Sequence, residues 1–536
     1  MAETKREIER KYDVGADAEL PDLSGVAGVA DVVDKGVVEL DAVYHDTTDQ
    51  VLLSDSITLR RRIGGDDEGW HLKLPVSPVQ GVRDEIQAPL SDSVPPELSS
   101  LVRSRVRDAE LVPVMRLLTA RDLRHLVDGE GALLAELSVD RVRAERLTED
   151  GGTAEWAEIE VELADGADPA LLDRIEKKLK KLGVERSSSA SKLAKAQAGT
   201  ALTAARKQLA KGKLKPGKSK KGQKGERYTV IELKDSAVQP DPVTAADHVL
   251  AYIRTQRDAL VALDPDVRRD LPDSVHQMRV ATRRMRSAFR SYRKLLDRSV
   301  TDPIGDELKW LAGELGVDRD QEVLAERITS RVDTVPGTLL LGPVRARLQI
   351  WSVAGAADSR SRTVAALEGE RYVQLLNSVD ALLADPPLRK AATSSPGKAL
   401  PKAVRKDYAR LEARIEHALA LEPGEERDVA MHSARKAAKR ARYAGEAARP
   451  ALGKPAKRFA KRMKAVQKVL GDHQDSVVAR DTLRNLAVQA HAAGETAFTW
   501  GLLYGQEEAR AARRENELPG VWHRASRPKL RAALSG

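Results

Sequence analysis

Residues 205–227 hold ten basic residues, four glycines and one proline against a single acid. So dense a run of like charge and turn formers cannot be buried, and the chain must fold as separate parts on either side of it. We place a flexible basic linker at 201–230. A length of 536 residues points the same way, being too long for one ordinary core. Before the linker, short runs alternate apolar and charged side chains at 6–12, 56–63, 70–74, 82–87, 133–139 and 155–163. That is the pattern of strands, with helices expected near 97–106 and 169–182. After the linker come long Ala-, Leu- and Arg-rich segments with helical spacing. The expectation is an α+β multidomain chain: a mainly antiparallel β domain over 1–200 and an all-α domain over 231–520.

Charge divides at the same place. Residues 1–200 carry 27 Lys and Arg against 40 Asp and Glu, net −13, and the remainder carries 63 against 41, net +22. A basic domain of that strength concentrates a polyanion, whether nucleic acid, anionic lipid or polyphosphate. The absence of cysteine excludes disulfides, thiolate metal sites and cysteine nucleophiles, and fits a reducing compartment. The first residues are charged from Glu3 onward, and no run approaches the roughly 20 apolar residues of a membrane span. The reading is a cytoplasmic protein with no membrane partner.

In a strand, Glu7, Glu9 and Lys11 point to one side while Ile8 and Tyr12 point to the other. Arg60 and Arg62 share a face in the same way, Lys73 sits between Leu72 and Leu74, Arg83 and Glu85 alternate with Val82 and Ile86, and Glu158, Glu160 and Glu162 alternate with Ile159, Val161 and Leu163. Charged faces of single strands usually meet solvent. These separate into an acidic set (Glu7, Glu9, Glu158, Glu160) and a basic set (Arg60, Arg62, Lys73, Arg83). A sheet closed with those faces inward makes a tunnel with acids on one side and bases on the other, the donors that a metal-bound polyphosphate requires.

In order along the chain, Glu7-x-Glu9-x-Lys11, Tyr44-His45-Asp46-Thr47, Leu59-Arg60-Arg61-Arg62, Trp70-His71-Leu72-Lys73, Arg83-Asp84-Glu85, Arg121, Ser138 to Asp140, Glu158-Ile159-Glu160 and Ser191-Lys192 resemble the CYTH superfamily, the triphosphate tunnel metalloenzymes. The resemblance covers about residues 3–200. It implies an eight-stranded antiparallel tunnel barrel with flanking helices, dependence on Mg²⁺ or Mn²⁺, and action on tripolyphosphate, nucleoside triphosphates or thiamine triphosphate, or adenylate cyclisation in some members. Carried over, Arg60, Arg62, Lys73, Arg83 and Arg121 grip phosphates, with Arg116 a second arginine near the last position. Glu7, Glu9, Asp140, Glu158 and Glu160 hold metal, while Lys11, Glu160 and Lys192 act on the transferred phosphoryl group or the attacking water.

The helical half repeats itself. At an offset of 156, His276, Arg279, Arg283, Arg284 and Arg286 fall on His432, Arg435, Lys439, Arg440 and Arg442; at 155, Leu315, Gly316, Asp320 and Val323 fall on Leu470, Gly471, Asp475 and Val478. The copies span about 240–380 and 400–515. His276, Arg279, Arg283, Arg286 and Arg290 lie on one helical stripe, opposite Met278, Ala281, Met285, Ala288 and Tyr292, and His432, Arg435, Lys439 and Arg442 reproduce the stripe. No acid interrupts either, and no aromatic stacking platform is interleaved, which favours a phosphate chain over nucleic acid. These residues resemble the CHAD domain, the conserved-histidine α-helical domain. The resemblance implies two pseudo-symmetric four-helix units and binding of inorganic polyphosphate, with Asp320 and Asp475 orienting arginines.

The combined expectation is a metal-dependent triphosphatase whose leading substrate is inorganic tripolyphosphate, with a polyphosphate-binding helical domain that could associate it with polyphosphate granules. A non-catalytic polyphosphate-binding protein and an adenylate cyclase are the alternatives.

Overall fold

The computed structural model describes residues 3–19, 21–76, 81–148, 151–189, 191–210 and 242–534, with the side chains of all but 3, 202, 204–210, 317–320 and 354–359. The chain forms two compact units, Met1–Val238 and Gln239–Gly536. Among the described residues no helix is long and apolar enough to cross a membrane.

The first unit runs β1 (Glu3–Val14), β2 (Asp31–Asp46), α1 (Val51–Ser54), β3 (Thr58–Ile63), β4 (Gly69–Pro75), β5 (Val82–Ala88), α2 (Pro96–Val106), β6 (Val112–Val127), β7 (Leu133–Arg146), β8 (Thr153–Leu163), α3 (Ala170–Lys181), β9 (Glu185–Arg186) and α4 (Lys192–Ala210). The sheet order is β5-β4-β3-β2-β6-β7-β8-β1, and β1 returns to β5, so eight antiparallel strands close into a barrel with β9 appended to β1. Closure depends on β1 changing partner along its length. Glu3 to Ile8 lie against β5, with Glu7 opposite Arg83, and Glu9 to Val14 lie against β8, with Lys11 opposite Glu160. At the change the Glu9 amide donates to the Gly81 carbonyl at 3.0 Å. A Cβ at Gly81 would stand 2.6 Å from the Glu9 carbonyl oxygen, and φ there is +87°; only glycine fits such a seam.

Much of the apolar side of this barrel faces outward. Leu59, Trp70, Leu72 and Ile86 pack under α2 with Leu98 and Val102; Tyr12, Val139, Ile159 and Val161 pack under α3 with Ile175 and Leu179; Leu117, Val142 and Ala144 pack with Leu193 and Ala196 of α4. Covering these faces with helices satisfies the hydrophobic requirement and leaves the charged faces to line the interior.

Two 16-residue strands, β2 and β6, escape the alternation pattern. A register shift at Asp34/Gly36 interrupts the period of β2, and one opposite Tyr44/His45 skips Val114 and interrupts that of β6; residues 33–37 are all exposed. The expected linker also begins too early, because α4 continues through Ala210; its remainder lies outside the described residues.

The second unit is all helical: α5 (Ala245–Arg268), α6 (Ser274–Ser291), α7 (Arg298–Glu314), α8 (Gly316–Val332), α9 (Val344–Glu368), α10 (Glu370–Ala384), α11 (Pro396–Ala420), α12 (Glu425–Ala447), α13 (Arg449–Leu452), α14 (Lys454–Ala492), α15 (Phe498–Ala525) and α16 (Pro528–Ala532). The duplication is visible in the order: α5, α6 and the pair α7–α8 answer to α11, α12 and the single long α14. Met278, Ala281, Met285 and Ala288 of α6 and Ala434, Ala438 and Ala441 of α12 are buried in one core. The Tyr292 hydroxyl donates to the Ala444 carbonyl at 2.7 Å and so ties one copy to the other.

Candidate functional site

A cavity of about 640 Å³ occupies the barrel. Ten of the expected residues line it: Glu7, Glu9, Lys11, Arg60, Arg62, Lys73, Arg83, Arg121, Glu160 and Lys192. Asp140 and Glu158 lie just behind, at 0% and 1% exposure. The register of β7 on β8 sets Asp140 opposite Glu158, and the carboxylates of Asp140, Glu158 and Glu160 approach within 4.8 Å of one another.

Three cations hold that trio together. Arg121 binds both Asp140 oxygens at 2.8 and 2.6 Å and Glu160 at 2.7 Å. Lys192, at the start of α4, lies 2.8 Å from Asp140 and 3.3 Å from Glu158 and also contacts Glu160, which Lys11 meets from β1. Burial works against the Glu160 charge, but Lys11, Lys192 and Arg121 overcome it and hold the carboxyl well below its usual range. Across the cavity Lys73 grips Glu7 at 2.6 and 2.8 Å. Arg60 stands 3.5 Å from the Tyr44 hydroxyl and 3.6 Å from Glu85. Burial, then Arg60 and Arg121, push Arg62 down to about 9. Burial, against Lys73 and with Glu85, raises Glu7 to about 7, whereas Lys11 and Lys73 overcome burial at Glu9 and lower it to about 2.

In the helical unit, Arg279 donates to the Gly316 carbonyl at 3.2 Å, and a Cβ at Gly316 would come within 3.1 Å of its guanidinium. Its counterpart Arg435 lies over Gly471, 3.8 Å from the corresponding point, and reaches Asp475 at 3.4 Å. The Leu-Gly segments of both copies therefore seat an arginine. Burial, then Arg435 on its own helix and Arg283 across from α6, push Lys439 down to about 7; Asp475 opposes them and Arg279 adds to them. The stripes of the two copies thus meet around Lys439.

Other expected members of the stripes differ in setting. Arg442 is engaged by Glu446 at 2.7 Å, by Gln467 at 2.9 Å and over the Tyr443 ring at 5.0 Å. Arg286 lies close enough to Arg290, Asp306 and Arg283 to feel their charge, and burial above all lowers it; the Arg290 side chain is exposed. His432 contacts Gln474 at 2.5 Å. His276 lines a separate pocket of about 360 Å³ with Asp273, Glu322 and Arg360, so its surroundings are of mixed charge. The Asp320 side chain lies outside the described residues.

Comparison with known proteins agrees with this division. Residues 5–196 match the family model for the CYTH domain and residues 251–484 that for the CHAD domain. Two uncharacterized proteins of Mycobacterium tuberculosis, from strains CDC 1551 and H37Rv, are each 36% identical over 530 residues, 96% of this chain and 94% of theirs. The chain is a CYTH–CHAD protein. Solved structures similar to it include PptA from Streptomyces chartreusis (19% identity, TM-score 0.44, 53% of this chain and all of that one). A CHAD domain from Ricinus communis also matches (25% identity, TM-score 0.41, 55% and 92%).

CYTH domains depend on a metal, and the residues of this one fit a hard divalent ion. Asp140, Glu158 and Glu160 offer carboxylate oxygens, the donors Mg²⁺ and Mn²⁺ prefer. The buried Oε1 of Glu158 accepts no hydrogen bond and has only the Lys192 ammonium beside it at 3.3 Å. Glu7 and Glu9 line the CYTH cavity outside this trio, Glu7 held by Lys73 and Glu9 by Lys11 at 2.9 Å. Arg116 pairs with Asp41 at 2.6 Å and does not line the cavity, so Arg121 takes the position expected of a tunnel arginine.

Several residues in the cavity wall or behind it were given no role by the sequence. Lys5, two residues before Glu7 on the same strand face, carries the period-2 signal that would have found it; it pairs with Glu162 at 2.8 Å. Tyr44 lies on the interrupted strand β2. Asp67 comes from the turn between β3 and β4 and contacts Arg62, a placement without periodic signal. His71, buried between Glu85 at 2.9 Å and the Asp67 carbonyl at 2.8 Å, braces that turn against the basic wall.

Proposed function

We propose that the CYTH domain hydrolyses a triphosphate with the help of Mg²⁺ or Mn²⁺, inorganic tripolyphosphate being the leading substrate, and that the CHAD domain binds inorganic polyphosphate. The observation that carries the reading is the opposition, inside one closed barrel, of the Asp140–Glu158–Glu160 trio to the wall of Arg60, Arg62, Lys73 and Arg83. In the cavity most of these acids and bases pair with one another. A triphosphate draws Arg60, Arg62, Lys73 and Arg83 onto its oxygens, and Lys11, Arg121 and Lys192 stand where charge develops on the terminal phosphoryl group. Glu160, which reaches the cavity surface, orients the attacking water. Asp140, Glu158 and Glu160, with Glu7 and Glu9 nearby, would hold the ion, whose charge would neutralise the phosphate oxygens.

Phosphate release from tripolyphosphate should require Mg²⁺ or Mn²⁺ and fall at least about 100-fold in Glu160→Gln and Arg60→Ala. No release with any divalent metal between pH 6 and 10 would overturn the hydrolase reading and leave a polyphosphate-binding protein. Cyclic AMP formed from ATP would instead make it a cyclase. A panel of tripolyphosphate, ATP and thiamine triphosphate fixes the substrate. Polyphosphate binding by the CHAD domain predicts that the protein colocalises with polyphosphate granules in the cytoplasm.

A further inference from the structure

The first half of α14 carries a second cationic surface, separate from the duplicated stripes. Lys454, Lys457, Lys461, Lys464 and Lys468 follow spacings of 3, 4, 3 and 4, which keeps them on one line of the helix. The line runs about 21 Å at 1.5 Å per residue. Arg458 and Arg462 flank it, and no acid occurs between Lys454 and Leu470. All seven cations are exposed. Among the described residues none of their side chains makes an ion pair or hydrogen bond, unlike Arg298 and Arg371, which pair with carboxylates on the corresponding helix α7.

The duplication shows that the fold does not require this charge. At the offset of 155 the packing residues of α14 are kept in kind: Phe459, Met463, Val466 and Leu470 fall on Ile304, Leu308, Leu311 and Leu315, and all are buried. The outer face changes sign at three positions, for Lys457, Lys461 and Arg462 fall on Asp302, Asp306 and Glu307 of α7, while Lys464 falls on Lys309. One helix type, packed in the same way, carries mixed charge in one copy and an unbroken row of bases in the other. Because the apolar face of α14 is spent on the core, its outer face can bind by charge but cannot insert into a bilayer. Lysine point charges without aromatic platforms suit a phosphate chain that presents no bases.

We infer that the outer face of α14 is a second polyphosphate-binding surface, a lysine rail engaged by long chains and not by tripolyphosphate. The inference rests on the polyphosphate reading of the CHAD domain. A three-phosphate chain is too short to engage more than part of the row, whereas a long chain can neutralise all of it.

The test compares the full-length wild type with a variant in which Lys454, Lys457, Lys461, Lys464 and Lys468 are changed to Gln, and with Arg279→Gln/Arg435→Gln. Affinity for long-chain polyphosphate and for tripolyphosphate is measured across a salt series. The rail variant should bind long chains at least tenfold more weakly, with a log–log salt slope shallower by about three, and tripolyphosphate within twofold of wild type. The Arg279/Arg435 variant should also weaken long-chain binding, while tripolyphosphate, held by the CYTH cavity, stays within twofold of wild type. Unchanged long-chain binding in the rail variant, or an equal loss for tripolyphosphate, overturns the rail while leaving the polyphosphate reading intact. Duplex DNA held by the wild type as tightly as long polyphosphate, and released by the rail variant, overturns it in favour of nucleic acid. If the wild type binds no polyphosphate of any length, both readings fall. The substitutions are all at exposed positions, and an unchanged melting temperature confirms that the fold is intact.

Discussion

Burial, then Arg435 on its own helix and Arg283 and Arg279 on α6, push the Lys439 ammonium down to about 7 against the pull of Asp475. A bound polyanion favours the ammonium form, so binding takes up a proton wherever the free amine is neutral. Affinity for polyphosphate should therefore hold below about pH 7 and decline above it, by up to about tenfold for each pH unit. Lys439→Arg, which stays charged, should flatten that profile in titrations between pH 6.5 and 8.5. In the unliganded protein the sign is opposite: the depressed amine contributes stability above its ordinary range and loses it as pH falls through about 7. Gly316 offers a second test at this scale. A methyl group there would crowd the Arg279 guanidinium, whereas at Gly471 it would meet Arg435 at an ordinary contact distance. Gly316→Ala should weaken polyphosphate binding severalfold and Gly471→Ala should not, with little change in melting for either. None of this asymmetry is legible in the two Leu-Gly segments, which look equivalent until the arginines lie over them.

Strand β1 shows what a local pattern can and cannot report. Its alternation reveals that Glu7, Glu9 and Lys11 share a face, and the structure keeps them on one cavity wall. It says nothing of the seam, where β1 leaves β5 for β8, so Glu7 faces the basic wall and Lys11 faces the acid trio. Strands β1, β3, β4, β5, β7 and β8 were legible because one face packs under helices and the other carries charge. Strands β2 and β6 were not, since bulges and exposed stretches interrupt the period. Among the helices, α12 packs so closely on α14 that a Cβ at Gly445 would stand 2.8 Å from the Phe459 ring. Gly445→Ala should lower stability by about 1–3 kcal/mol through overpacking, measured by denaturant unfolding.

For the molecule as a whole, the two domains should answer to different ligands. Mn²⁺ or Mg²⁺ should raise the melting transition of the CYTH domain and polyphosphate that of the CHAD domain, each by the equivalent of about 2.7 kcal/mol at a hundredfold excess over Kd. Glu160→Gln should remove the first shift alone, which differential scanning calorimetry would report. The split between an acidic β domain and a basic helical one, the duplication, and the charged strand faces were all determined by the sequence itself, because composition and periodicity are local properties of the chain. Only the tertiary structure decided which charges meet. Register brought Asp140 beside Glu158 and Glu160, the seam set Glu7 apart from them, Glu446 and Gln467 engaged Arg442, and the α14 lysines kept no side-chain partner among the described residues. The energy of a charge depends on burial and on the distance to its nearest opposite, and neither exists until the strands have closed and the helices have packed.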